Sequence, residues 1–147
     1  MRVKPPPRVA LISLGALWTL PNTPLGLLAG LVLLPFGARL HFAEGSLAFK
    51  RVPKVRGAVV LGCVILRGGE DLDTVAPSYA ARCGAAPRTQ CARICDHERA
   101  HVRQYLLFGP LFLPVYFLCG GVSARSPFER AADRCALTGT GWHPFPR

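Results

Sequence analysis

Charged residues are absent from Val9 to Phe36 and again from Leu106 to Val122, and these two apolar runs frame a more polar middle of the chain. Pro21-Asn22-Thr23-Pro24 breaks the first run into two halves of twelve residues. As helix each half is about 18 Å long, against a hydrocarbon core about 30 Å thick, so neither half spans a bilayer alone. The whole run reads as a single kinked anchor, as a re-entrant or interfacial hairpin, as a signal peptide with its apolar region at Val9 to Leu20, or as a buried helical hairpin of a soluble domain. No A-x-A-like cleavage site follows Leu20 and apolar character resumes at Leu25, which argues against the signal peptide.

From Ala38 to Arg51 the pattern changes to alternation. Leu40 and Phe42 alternate with Arg39 and His41, a Glu44-Gly45-Ser46 turn follows, and Leu47 and Phe49 resume the alternation, which predicts a β-hairpin. The β-branched run Gly57 to Leu66 predicts a third strand, beside the hairpin and facing a later helix. Gly, Pro and Asp make Gly68 to Ala86 a loop, with Asp71 and Asp73 solvated. Thr89 to Phe108 carries neither proline nor glycine and spaces Ile94, Val102, Leu106 and Leu107 as a helix does, with Gly109-Pro110 as its stop. Ser126-Pro127 then opens another helix, the serine as cap and the proline at the first helical position.

Half of the 147 residues are hydrophobic and mean hydropathy is +0.29, enough for one domain with its excess apolar character gathered in segments. The formal charge of +10 suits anionic headgroups. No aromatic-rich basic reader accompanies it, so nucleic acid is not an expected partner. Cations lie on both flanks of the first apolar run, Arg2, Lys4 and Arg8 before it and Arg39, Lys50, Arg51, Lys54 and Arg56 after it. Under the positive-inside rule both flanks sit more comfortably on the cytoplasmic side, which favours a hairpin over a single crossing. The six cysteines form no C-x-x-C pair and read as free thiols in a reducing compartment, with a Cys83 bridge to Cys91 or Cys95 as the oxidising alternative.

His97-Glu98-Arg99-Ala100-His101 names a reaction more directly than any other stretch. Histidines at i and i+4 stand one above the other on a helix, so two imidazoles can ligate one Zn²⁺ while the intervening carboxylate acts as general base. A catalytic zinc takes a third protein ligand, and Glu129 on the next helix is the candidate, with Asp133 one turn later to receive the free imidazole N–H of a ligating histidine. A single crossing of the bilayer by Leu106 to Val122 would separate the histidines from Glu129. Either that segment dips and returns, as Gly109-Pro110, Pro114 and Gly120-Gly121 allow, or the site lies within the membrane, or Glu129 is no ligand.

In H-E-x-x-H on one helix and E-x-x-x-D on the next, the last third of the chain resembles the gluzincin (thermolysin-like) metallopeptidases. The resemblance implies His97, His101 and Glu129 as zinc ligands, Glu98 as the base and Asp133 behind a ligand. The wording His97 to Tyr105, with Phe108 to Pro114 and Pro127 to Arg130, is also similar to a group of small, uncharacterised bacterial membrane-associated proteins. The 147 residues are too few for the usual substrate-binding domain of thermolysin and no downstream histidine is assigned as transition-state donor, for which Tyr105, Tyr116 and His143 are the candidates. The expectation is an α+β protein, one domain over 1–147: an apolar anchor or hairpin at 9–36, a β-meander at 38–66, and metal-site helices at 89–137 around an apolar insertion at 106–122. The resemblance implies a zincin-like core and a zinc-dependent peptidase acting on a peptide or protein. Its expected place is the cytoplasmic side of the bacterial inner membrane. The alternatives are a non-catalytic membrane-bound metal-binding or scaffold protein, and a basic membrane-interaction module in which the H-E-x-x-H run is accidental.

Overall fold

The computed structural model describes residues 14–15, 17–43 and 46–145. The start of the first apolar run, Pro5-Pro6-Pro7, the cations before it and Glu44-Gly45 of the expected turn lie outside these residues. The fold is mixed α+β. A four-stranded sheet comprises β1 (Arg39–Ala43), β2 (Ser46–Lys50), β3 (Ala58–Leu61) and β4 (Val64–Arg67). Helix α1 (Asn22–Leu33) covers one face, and α3 (Ile94–Phe108) packs on the other with α5 (Pro127–Thr138) behind it.

The sheet is not a meander. Its order is β1-β2-β4-β3, with β2 and β4 parallel through Ala48↔Ile65 and the outer pairs antiparallel. The Gly57 to Leu66 run makes two strands rather than one, because Gly62 takes φ +62° and reverses the chain between them. A side chain at Gly62 would collide with Thr23, whose Oγ1 accepts from the Cys63 N–H at 3.1 Å. The β3–β4 hairpin is thereby tied to the start of α1, and β3 is left at the sheet edge.

Helix α1 meets the sheet through its glycines. Gly26 and Gly30 are buried, and a Cβ on Gly30 would stand 2.2 Å from the Phe49 ring, so only glycine permits this approach. Ala38, Phe49, Val52, Val64 and Leu66 form the core on that side. On the other side Ile65, Val60, Tyr105, Phe112, Tyr116 and Phe128 form the larger core.

The expected loop at 68–86 holds structure. Strand β5 (Val75–Pro77) pairs with β6 (Cys91–Arg93), and the short helix α2 (Tyr79–Arg82) starts at Ser78, whose side chain accepts from the Ala81 N–H. Because β6 takes 91–93, α3 starts at Ile94 rather than Thr89, and its first amides donate to the carbonyls of Thr74 and Leu72. After α3, a 3₁₀ turn (Gly109–Leu111), α4 (Phe112–Leu118) and a Gly120-Gly121 bend turn the second apolar run back on itself. No helix among the described residues is long and apolar enough to cross a membrane. No disulfide forms; all six cysteines are free thiols.

Candidate metal centre

Three donor atoms converge in the space between α3 and α5. His97 and His101, one turn apart on α3, bring their Nε2 atoms to 3.2 Å of each other. Glu129 Oε2, in the first turn of α5, lies 3.2 Å from His97 Nε2 and 3.5 Å from His101 Nε2. A small divalent ion with ligands at about 2.1 Å in tetrahedral array keeps its donors about 3.4 Å apart, so this triangle has the size of one face of such a site. All three residues are buried, and together they can hold a metal ion.

The far side of each imidazole is fixed. His97 Nδ1 donates to Asp133 Oδ1 at 2.9 Å, and the two Asp133 oxygens also accept from the Tyr79 and Ala80 amides, at 2.9 and 2.7 Å. His101 Nδ1 donates to Gln104 Oε1 at 2.8 Å. The orientation of the Gln104 amide follows from its other end, where Nε2 donates to the carbonyls of Phe128 and Trp142, at 3.1 and 2.9 Å. Both rings therefore carry a proton on Nδ1 and direct Nε2 to the same point, where a bound metal ion would take the place of the Nε2 proton that otherwise bonds Glu129. Two bare Nε2 lone pairs there would repel, so the site needs a proton or a metal cation at that point.

The electrostatics of the metal-free site agree with that need for positive charge. Burial alone would lower the His97 pKa, but hydrogen bonds to Asp133 and Glu129 outweigh it and raise the value to about 10. Burial works against the Glu129 carboxylate too, yet bonds from His101, His97 and the Tyr116 hydroxyl hold it well below the usual range. Asp133 is also lowered, by His97 and the two amides acting against burial.

Glu98, the next residue on α3, is buried at the edge of a cleft of about 470 Å³ and makes no hydrogen bond or ion pair among the described residues. The cleft is lined by the buried His97, His101 and Glu129, by residues of β3 and by Tyr116, Phe117 and Val122.

Of the three candidate donors, only Tyr116 reaches the metal cluster, where its hydroxyl donates to Glu129 Oε1. Tyr105 does not reach the metal cluster. It is fully buried under the cleft and its hydroxyl donates to the Val60 carbonyl, because one further turn of α3 carries it into the sheet interface. His143 is held by a local bond to the Phe145 carbonyl at 2.7 Å, outside the cleft. Ser126 begins α5, but its side chain makes no cap bond.

Two contributors escaped sequence reading. Gln104 follows His101 by three positions, a spacing that could have marked it, but its anchors on Phe128 and Trp142 are set by tertiary structure. Tyr79 fell in the supposed loop, although Ser78 before it was a legible cap. Burial, with Cys83 beside it, pushes the Tyr79 hydroxyl up to about 12, and its ring lies 6.2 Å from His97. Comparison with family models, curated proteins and solved structures finds no match to this chain.

Proposed function

We propose that the chain is a zinc-dependent hydrolase of peptide bonds with a zincin-like core, Glu98 serving as its general base. The observation that carries the reading is the convergence of His97 Nε2, His101 Nε2 and Glu129 Oε2 within 3.5 Å, with an unpartnered Glu98 carboxylate at the rim of the same cleft. Two imidazoles and one carboxylate leave a fourth position open, the ligand set of a catalytic rather than a structural zinc.

Zinc, when bound, supplies a Lewis acid that polarises the scissile carbonyl and brings the pKa of a ligand water down to about 7. Glu98 takes the proton of the attacking water and delivers it to the leaving amine. Asp133 and Gln104 keep the Nδ1 protons in place and so hold both Nε2 atoms ready as ligands. Tyr116 fixes the orientation of Glu129. A peptide is the favoured substrate because β3 lies at the sheet edge and lines the cleft, where an extended chain can add to its outward backbone groups other than the Val60 carbonyl, which Tyr105 holds.

One observation favours the non-catalytic alternative. The Tyr116 hydroxyl is committed to Glu129, and neither Tyr105 nor His143 has a group free to face the cleft. Elemental analysis followed by a peptidase screen separates the two readings. One zinc per chain, with hydrolysis lost in Glu98→Gln, supports the enzyme; zinc with no turnover, the same in wild type and Glu98→Gln, supports the metal-binding scaffold. Absence of zinc after reconstitution refutes both.

A further inference from the structure

Helix α1 carries no charged residue and is apolar on all sides, although only its glycine face and Asn22 are buried. Leu25, Leu28, Leu31 and Val32 remain exposed on its outer side. A helix apolar all round belongs in an apolar phase, and among the described residues none closes over this face.

The residues just before α1 tie it to the second apolar run. Trp18, just before α1 and 55% exposed, packs on Gly109 so closely that a Cβ there would lie 2.6 Å from the indole. Gly15 sits against Leu106 in the same way. Beyond these contacts Leu111, Phe117 and Leu118 are exposed, Leu118 at 86%. Phe117 and Val122 are shared: they are exposed at 62% and 70%, and they also line the cleft. The mouth of the metal cleft therefore opens beside the apolar surface.

Charge decides between occupants. Lys54 and Arg56 lie in a connection whose Val52 and Val55 share a core cluster with Ala29 and Leu33 of α1, and Arg39 opens β1 after the 3₁₀ turn (Leu34–Phe36) that ends the helix. None of these three cations has an ion-pair partner among the described residues. A second copy would bring another chain of +10 against this rim, whereas an anionic bilayer offers both an apolar interior and the opposite charge.

We infer that the outer face of α1 and the Leu106–Val122 run seat the protein in one leaflet of an anionic bilayer, with the cleft mouth at the lipid surface. This is attachment without crossing. On the hydrolase reading, which the docking itself does not require, the substrate class is then a polypeptide presented at the membrane surface.

The full chain with Trp142→Phe leaves Trp18 as the only indole; a second chain, Trp18→Phe with Trp142→Phe and Val122→Trp, reports from the cleft mouth. Both are mixed with vesicles of phosphatidylcholine alone or with 30% phosphatidylglycerol, about a third of the lipid in either case carrying brominated tails. The expected result is binding at least about ten-fold tighter to the anionic vesicles and bromine quenching of both indoles. Leu28→Glu with Leu118→Glu, at positions already exposed, should weaken binding by about ten-fold or more while leaving the circular dichroism unchanged. Vesicle binding insensitive to that pair, or a stable dimer by light scattering that ignores vesicles, overturns the inference. Quenching of Trp18 without quenching at position 122 overturns the placement of the cleft mouth. Glu98→Gln should bind vesicles as wild type does, so failure of docking and failure of the hydrolase reading are separately visible.

Discussion

The Nε2 atoms of His97 and His101 face each other across 3.2 Å, each ring anchored on its far side by a hydrogen bond from Nδ1. The arrangement is unfavourable for two neutral imidazoles and favourable for a cation between them. Metal should therefore act as a strong stabiliser of the folded chain. Zinc at a thousand-fold excess over its dissociation constant is expected to add about 4 kcal/mol, read as a rise in Tm that a chelator reverses. His97→Ala should abolish the rise; an unchanged melting curve with and without zinc would contradict the site.

Glu98 offers no donor to the cluster, so its loss should leave the metal in place. Glu98→Gln is expected to retain one zinc per chain and to lower kcat by about 10²- to 10⁴-fold on any peptide that the wild type cleaves. Zinc lost in this variant would move Glu98 from base to ligand.

Gln104 is buried between two carbonyls and an imidazole. Gln104→Ala should weaken zinc binding by about 10- to 100-fold, because His101 loses the partner that fixes its tautomer. The same change orphans the Phe128 and Trp142 carbonyls, at about 1 to 3 kcal/mol of stability. Competition with a metallochromic indicator and a thermal melt read the two effects separately. Full affinity in a destabilised variant would reduce Gln104 to a structural strut.

Asp133 joins the metal site to α2. Asp133→Asn keeps the shape but removes the charge that accepts from His97 and the Tyr79 and Ala80 amides. Weaker zinc binding and faster amide exchange at 79–80 are expected together. Change in only one of the two would show that the coupling through this carboxylate is absent.

The approach of α1 to the sheet depends on Gly30. Gly30→Val drives methyl groups into the Phe49 ring and should cost about 1 to 3 kcal/mol or more by overpacking. Zinc affinity of the folded fraction should be unaffected, since the metal cluster lies on the other side of the sheet. A loss of affinity equal to the loss of stability would show the two faces to be coupled.

Local patterns were legible where a short stretch decides the outcome. Helical spacing set His97 and His101 on one face, and Ser126-Pro127 marked the start of α5 to the residue. The antiparallel pairing of β1 with β2 agrees with the expected hairpin, although Leu40 and Phe42 stay exposed. The extra strands were not legible: Gly62 looked like one more small residue in an apolar run until Thr23 was seen to occupy the space a side chain would need. The region 68–86 was misread because β5 needs β6, sixteen residues on, before it is a strand at all.

By itself, the sequence determined which chemical groups the chain can place one helical turn apart, and it named His97, Glu98, His101, Glu129 and Asp133 as a set. Only the tertiary structure decided that Glu129, 32 residues from His97, closes the triangle, that Tyr116 rather than Tyr105 or His143 reaches it, and that Gln104 orients the second imidazole. The physical reason is range. Helical periodicity fixes neighbours within a turn, whereas the meeting of α3 with α5 depends on how Phe112, Tyr116 and Phe128 pack as the chain reverses between them, and on which buried polar atoms that packing leaves to be paired.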